Sequence, residues 1–334
     1  MGQKNHRIVW LVTRPRLRTP SSPSRHTAHK DISMSSTLLQ VTRDHSLGHM
    51  INQRMARHLT HIASEHQASR QHRMAIFAND LIGIQINQFG LYEREELTLM
   101  FEFLKPLLPV FAKGMALDIG ANIGNHALYF SKRFQQVHAF EPNPPTFELL
   151  RFNAQWTPNV KVHRLGLGDA RGVFELIENR TNLGGSSILI GDKRNDNVVS
   201  IEIETLDDAS IDTTDLCFVK IDVEGFEQQV IRGGANTLRL RQPVVVLEQH
   251  ASEFVGGTSP ALNLLAGLGY RFCWEHNPPL ARTWLGRRFD DLKHVAFGVK
   301  RSVVTGATVP ATNHSMLVAV PERFQAALGL VRPA

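Results

Sequence analysis

Between Met115 and Lys300, short apolar runs alternate with stretches whose apolar residues recur at helical intervals. Met115–Ile119, Val137–Phe140, Val160–Leu165, Phe218–Asp222 and Val244–Glu248 predict strands. Between the first two, Ile123, Ala127, Phe130 and Phe134 line one side of a predicted helix. Between the last two, Phe226–Leu240 predicts another, interrupted at Gly233-Gly234. Apolar strands separated by helices imply a parallel sheet covered on both faces. Residues 173–177 and 198–203 predict two extra strands ahead of the fourth core strand. Tyr270–Trp274 and His294–Val299, joined by a loop too short for a sizeable crossover helix, predict an antiparallel closing hairpin.

Upstream, residues 37–72 predict a polar, histidine-rich helix. His58 and His61 share a face there but read as solvated side chains. Glu95–Phe111 spaces Leu97, Phe101, Leu104, Leu108 and Phe111 helically, broken by Pro106 and Pro109, so a helical layer should pack on the sheet. After Arg301 only a loop and a short peripheral helix around Glu322–Leu328 are expected. The organisation is therefore a basic tail or misassigned start (1–36), an N-terminal helical segment (37–113), the α/β domain (114–300) and a C-terminal tail (301–334).

Composition narrows the function classes. With 334 residues, 42% hydrophobic and 20% charged, the chain is globular and long enough for a substantial core. No apolar run reaches the roughly 18 residues of a membrane span. Two cysteines, Cys217 and Cys273, lie in apolar runs and suit buried thiols in a reducing cytoplasm. The net charge of +6 suggests nucleic acid until it is located. Residues 1–30 carry seven basic side chains and no acidic one, which leaves about −1 for the rest. The body thus lacks an electrostatic footprint for phosphate backbones, and no nucleic-acid partner is expected.

The chemistry concentrates in Leu117-Asp118-Ile119-Gly120-Ala121-Asn122-Ile123-Gly124-Asn125. Here a strand ends, two glycines make a tight turn and a helix begins, so backbone can approach a ligand closely. Asp118 would repel a dinucleotide's pyrophosphate but favours a cationic cofactor such as S-adenosylmethionine (SAM), which carries an ammonium and a sulfonium. Glu141 closes the second strand, where an acid can accept hydrogen bonds from ribose hydroxyls.

These residues, with Phe140-Glu141-Pro142, Leu167-Gly168-Asp169, Gly184-Gly185-Ser186-Ser187, Thr205-Leu206-Asp207 and Val219-Lys220-Ile221-Asp222-Val223-Glu224-Gly225-Phe226-Glu227, resemble the FkbM-type methyltransferases. Ile82-Gly83 and Gly90-Leu91-Tyr92-Glu93 are similar to that family's N-terminal flank. The resemblance covers residues 80–250. It implies a seven-stranded Rossmann-like class I methyltransferase sheet and SAM-dependent methylation of hydroxyls on sugars, glycans or natural products. Carried over, it puts Asp118, Gly120, Asn122 and Gly124 around the methionine portion. Glu141 would then hold the ribose and Asp169 lie near the adenine, with Tyr92 and Glu93 capping the cofactor.

Methyl transfer to an alcohol needs alignment and a proton acceptor. Asp222, Glu224 and His250, at the ends of the fourth and fifth strands, are the candidates, ranked in that order. A divalent ion on Asp222 and Glu248 is possible but not favoured. Two rivals remain. An NAD(P)-dependent oxidoreductase would want G-x-G-x-x-G where this chain has Gly120-x-x-x-Gly124. A SAM-binding module without catalysis would not need Asp222, Glu224 and His250. The inserted strands and the Leu183–Asp196 loop are expected to shape the acceptor pocket.

Overall fold

The computed structural model describes residues 46–69, 74–77, 80–177, 187–188, 198–276 and 301–330. The chain divides into two units, Met1–Met50 and Ile51–Ala334. Nearly all the described residues belong to the second.

The central sheet is built on β1 (Met115–Ile119), β2 (Gln136–Phe140) and β3 (Val160–His163). A second, smaller sheet comprises β4 (Gly166–Leu167), β5 (Gly172–Ile177), β6 (Ser187–Ile188) and β7 (Val198–Glu204). The central sheet resumes with β8 (Leu216–Ile221), β9 (Val244–Gln249), β10 (Arg271–His276), β11 (Ser302–Thr305) and β12 (His314–Val320). Its strand order is β3-β2-β1-β8-β9-β12-β10-β11. The pairs β1–β2, β2–β3, β1–β8 and β8–β9 are parallel, while β12 runs antiparallel to both β9 and β10. This is the doubly wound Rossmann-like sheet of class I methyltransferases, with β11 added as an eighth, antiparallel edge strand.

Alternation along the strands divides the core. Val244 and Val246 of β9 join one apolar layer, and Val245 and Leu247 join the other. Ahead of the sheet come α1 (Leu47–Ser69), α2 (Leu81–Phe89), α3 (Arg94–Phe103) and α4 (Leu108–Phe111). As Pro106 and Pro109 foretold, α3 and α4 are separate, joined through a single 3-10 turn at Lys105–Leu107. With α5 (Asn125–Phe130) and α6 (Pro144–Ala154) they cover one face, where Phe101, Phe111, Phe130, Phe134 and Phe218 form an aromatic cluster. The other face is covered by α7 (Glu227–Gly233), α8 (Ala235–Arg241) and α9 (Pro260–Gly267). The break between α7 and α8 falls at the expected glycine pair.

The C-terminal segment corrects the sequence reading. The hairpin strand expected at His294–Val299 lies outside the described residues. Among the described residues β10 pairs with β11 and β12, both in the stretch expected to be loop and peripheral tail, and β12 is the correction to that reading. It sits between β9 and β10, with Met316–Val320 buried. That five-residue apolar run was the overlooked signal, since an apolar run of this length can be a fully buried strand. The short helix near the end is α10 (Glu322–Gln325). The expected tail at 1–36 also lies outside the described residues.

Candidate functional site

The cleft opens where β1 and β8 lie side by side and the chain crosses to opposite faces of the sheet, the usual ligand position in such folds. The two strands are locked there. The Asp222 amide donates to the Ile119 carbonyl at 3.0 Å, and a Cβ on Gly120 would stand 1.8 Å from the Asp222 carbonyl oxygen. Gly120 has a φ of 79°, so glycine is required at this position on both counts. Asn122 takes the left-handed conformation at φ 50°, as asparagine tolerates, and its own Oδ1 accepts from the Ile123 amide. Gly124 does not line the cleft but turns the chain into α5.

Glu141 lines the cleft and is almost fully buried. Its Oε2 accepts from the Asn122 amide at 3.0 Å and its Oε1 from the Asn143 amide at 2.9 Å, which bridges the β1 and β2 loops. Burial pushes its carboxyl up to about 7, against the pull of those two amides. Each oxygen keeps a lone pair for a ligand hydroxyl. Leu165, Gly166 and Leu167 form the wall beyond it. Asp169, expected near the adenine, does not line the cleft: it is exposed and faces Arg232 at 3.9 Å.

The N-terminal layer reaches the cleft through the turn before α3. Asn125 holds this turn, accepting from the Tyr92 amide at 3.1 Å and donating to the Tyr92 carbonyl at 3.2 Å. Tyr92 thereby becomes a cleft wall. Glu93 does not line the cleft and stands 3.2 Å from Nε2 of His126, which does.

Asp118 is fully buried beneath the loop rather than at the cleft surface. The Ala127 amide points towards it without a well-formed hydrogen bond, and Lys220 Nζ stands 3.8 Å away. Burial raises its carboxyl, and Lys220 opposes that rise. Lys220 also lies 2.8 Å from Asp222 Oδ2. Asp222 lines the cleft beside Glu224 and Glu248, and one oxygen of each lies within 4.8 Å of the others. Burial would raise Asp222, but Lys220 wins and holds it below the usual carboxylate range. Glu248 moves up instead, through burial and then the charge of Asp222. Glu224 rises from burial and the same neighbour, and its backbone is left-handed at φ 51°. His250 joins from the rim, with Nε2 3.7 Å from Glu224 and 3.8 Å from Glu248.

The structure thus gathers Asp222, Glu224, Glu248 and His250 into one acid-rich cluster facing the glycine turn. Such a cluster can orient a hydroxyl, accept its proton or attract a cation. Sequence reasoning did not single out Asn125, His126, Asn143 or Lys220 as site residues. All but Lys220 line the cleft. Lys220 had left a trace, as the one charge inside the apolar run Leu216–Ile221.

Residues 118–272 match the family model described as the methyltransferase FkbM domain. Over 139 residues the chain is 32% identical to hexuronic acid methyltransferase AglP of Haloferax volcanii, covering 40% of this chain and 55% of that protein. Over 141 residues it is 29% identical to methyltransferase 1 of Beauveria bassiana, covering 35% and 57%. The chain therefore spans about half the length of the curated relatives it matches. Among solved structures it is similar to methyltransferase FkbM from Methylobacillus flagellatus, at TM-score 0.30 and 18% identity over 41% of this chain and 33% of that one. It is also similar to precorrin-6y C5,15-methyltransferase from Geobacter metallireducens, at TM-score 0.33 and 15% identity over 70% and 92%. The fold assignment rests on the strand order itself.

Proposed function

We propose, from the match of residues 118–272 to the methyltransferase FkbM family model, that the protein transfers the methyl group of SAM to a hydroxyl of a sugar, glycan or natural product. The observation that carries this reading is the acid cluster of Asp222, Glu224 and Glu248 across the cleft from the turn Gly120–Asn122. A cationic donor suits that negative wall, and a dinucleotide pyrophosphate does not. Glu141 would accept the ribose hydroxyls. Asp118, lying below the surface, would act on the donor through the field of its charge and not by contact.

The sulfonium methyl is already activated, so the protein's task is alignment, which can supply about 7–11 kcal/mol. A divalent ion is not needed for that chemistry. Asp222, committed to Lys220, would orient the acceptor hydroxyl. Glu224, with His250 beside it, is the better placed of the three candidates to take the proton, because no lysine or arginine competes for it among the ion pairs of the described residues. The rim and the small sheet β4–β7 would receive the acceptor. Two buried free cysteines support a reducing, cytoplasmic setting for the reaction. Among the described residues no helix is long and apolar enough to cross a membrane.

The test is calorimetric titration with SAM and with NAD, followed by labelled-SAM transfer to a panel of glycans, lipids and small alcohols. SAM should bind and NAD should not. Asp222→Asn should still bind SAM and lose at least a hundredfold in turnover, as positioned polar groups commonly do. Binding of NAD in place of SAM would overturn the assignment.

A further inference from the structure

We propose that Lys220 is a positioning residue: its ammonium, buried between Asp118 and Asp222, is the resident counter-cation of the acid cluster and fills the charge role that a divalent ion would take there. For its part in methyl transfer this rests on the reading of the cleft as a SAM site.

The geometry is specific. Lys220 on β8 is the register partner of Asp118 on β1, so neighbouring strands bring the two side chains together. Nζ lies 2.8 Å from Asp222 Oδ2 and 3.8 Å from Asp118 Oδ1, and the residue is 4% exposed. A lysine buried to that degree persists charged only when acids surround it. Three elements supply them, Asp118 from β1, Asp222 from the loop after β8 and Glu93 from the turn before α3, while Glu224 and Glu248 act on Asp222. His126 on α5 also faces Asp118 and Asp222. Lys220 itself does not line the cleft, so it acts on a ligand only through Asp222.

Two consequences follow. Asp222 is tethered at one oxygen, which fixes the direction of the other. An ion bound to Asp222 would sit within a few ångströms of a buried ammonium, and like-charge repulsion at that range weakens ion binding by orders of magnitude. One buried cation against several acids still leaves the wall negative, as a cationic methyl donor requires.

The experiment is titration of the full chain with Mn²⁺, followed by electron paramagnetic resonance, for the wild type, Lys220→Met and Lys220→Gln. Calorimetry with S-adenosylhomocysteine is run alongside. The wild type should show no saturable Mn²⁺ site below about 1 mM, the weak end of affinities for protein cation sites. Either variant that folds should gain at least tenfold in Mn²⁺ affinity, and Glu248→Gln on that background should abolish the gain. A wild-type Mn²⁺ site at micromolar affinity would overturn the proposal whether or not the variants fold. A folded variant with no gain would overturn it too. Failure to bind S-adenosylhomocysteine would instead strike the SAM reading, since the ion titration needs no cofactor.

Discussion

Glu141 illustrates how one side chain can serve both fold and ligand. Its two accepted amide bonds hold the β1 and β2 loops in register, yet burial leaves it with a carboxyl near pH 7. A folded-state value above the unfolded one means that the ionised group costs stability above about pH 4.5, and more so up to pH 7. Ribose hydroxyls donating to the carboxylate would favour the ionised form. Cofactor binding should therefore release a proton below pH 7 and weaken as pH falls towards 5. Calorimetry of S-adenosylhomocysteine binding in buffers of different ionisation enthalpy measures that release. Glu141→Gln should abolish it and lower affinity about tenfold, roughly 1.4 kcal/mol.

At the scale of elements, two contacts tie parts of the fold whose pairing the sequence does not announce. Arg301, just before β11, reaches Glu95 at 2.7 Å and Glu96 at 2.8 Å on α3, and forks onto Glu275 of β10. The guanidinium geometry makes this an arginine position. Arg301→Ala should cost about 2 kcal/mol in urea unfolding, the range for hydrogen bonds to charged groups, and Arg301→Lys should restore only part. On β2 and β3, His138 Nδ1 lies 3.0 Å from His163 Nε2, with the rings stacked. Burial, then the neighbouring His163, depresses His138 to about 4, and His163 is lowered by burial too. The unfolded chain therefore binds more protons than the folded one between about pH 6.5 and 4. Stability should fall across that window and be unaffected by the pair above it. His138→Leu should flatten the acid slope, sparing about 1–2 kcal/mol at pH 5.

Over the whole molecule, charge is unevenly spread: seven basic side chains lie in residues 1–30, and acids gather on one wall of the cleft. That wall disfavours an acceptor with its own carboxylate close to the reacting hydroxyl. A neutral hexoside should exceed its uronic-acid counterpart at least tenfold in kcat/KM, about 1.4 kcal/mol of repulsion, which is modest beside unscreened carboxylates at contact range. Parallel assays with labelled SAM would measure the ratio. A preference for the uronate would refute the electrostatic argument.

The sequence by itself determined the parallel strands, their covering helices and the glycine turn. Each of these depends on local periodicity or on the backbone freedom of particular residues. β1 emerged with the expected bounds, and the α7–α8 break fell on its glycines. Only the tertiary structure decided that β12 enters the sheet between β9 and β10, because a buried run carries no label for its partner. It likewise decided that Asp118 lies under the turn, that Asp169 faces Arg232, and that Lys220 joins two acids 102 and 2 residues away along the chain. Burial and charge pairing depend on what other strands bring alongside, and that distance is set by topology, not by spacing in the sequence.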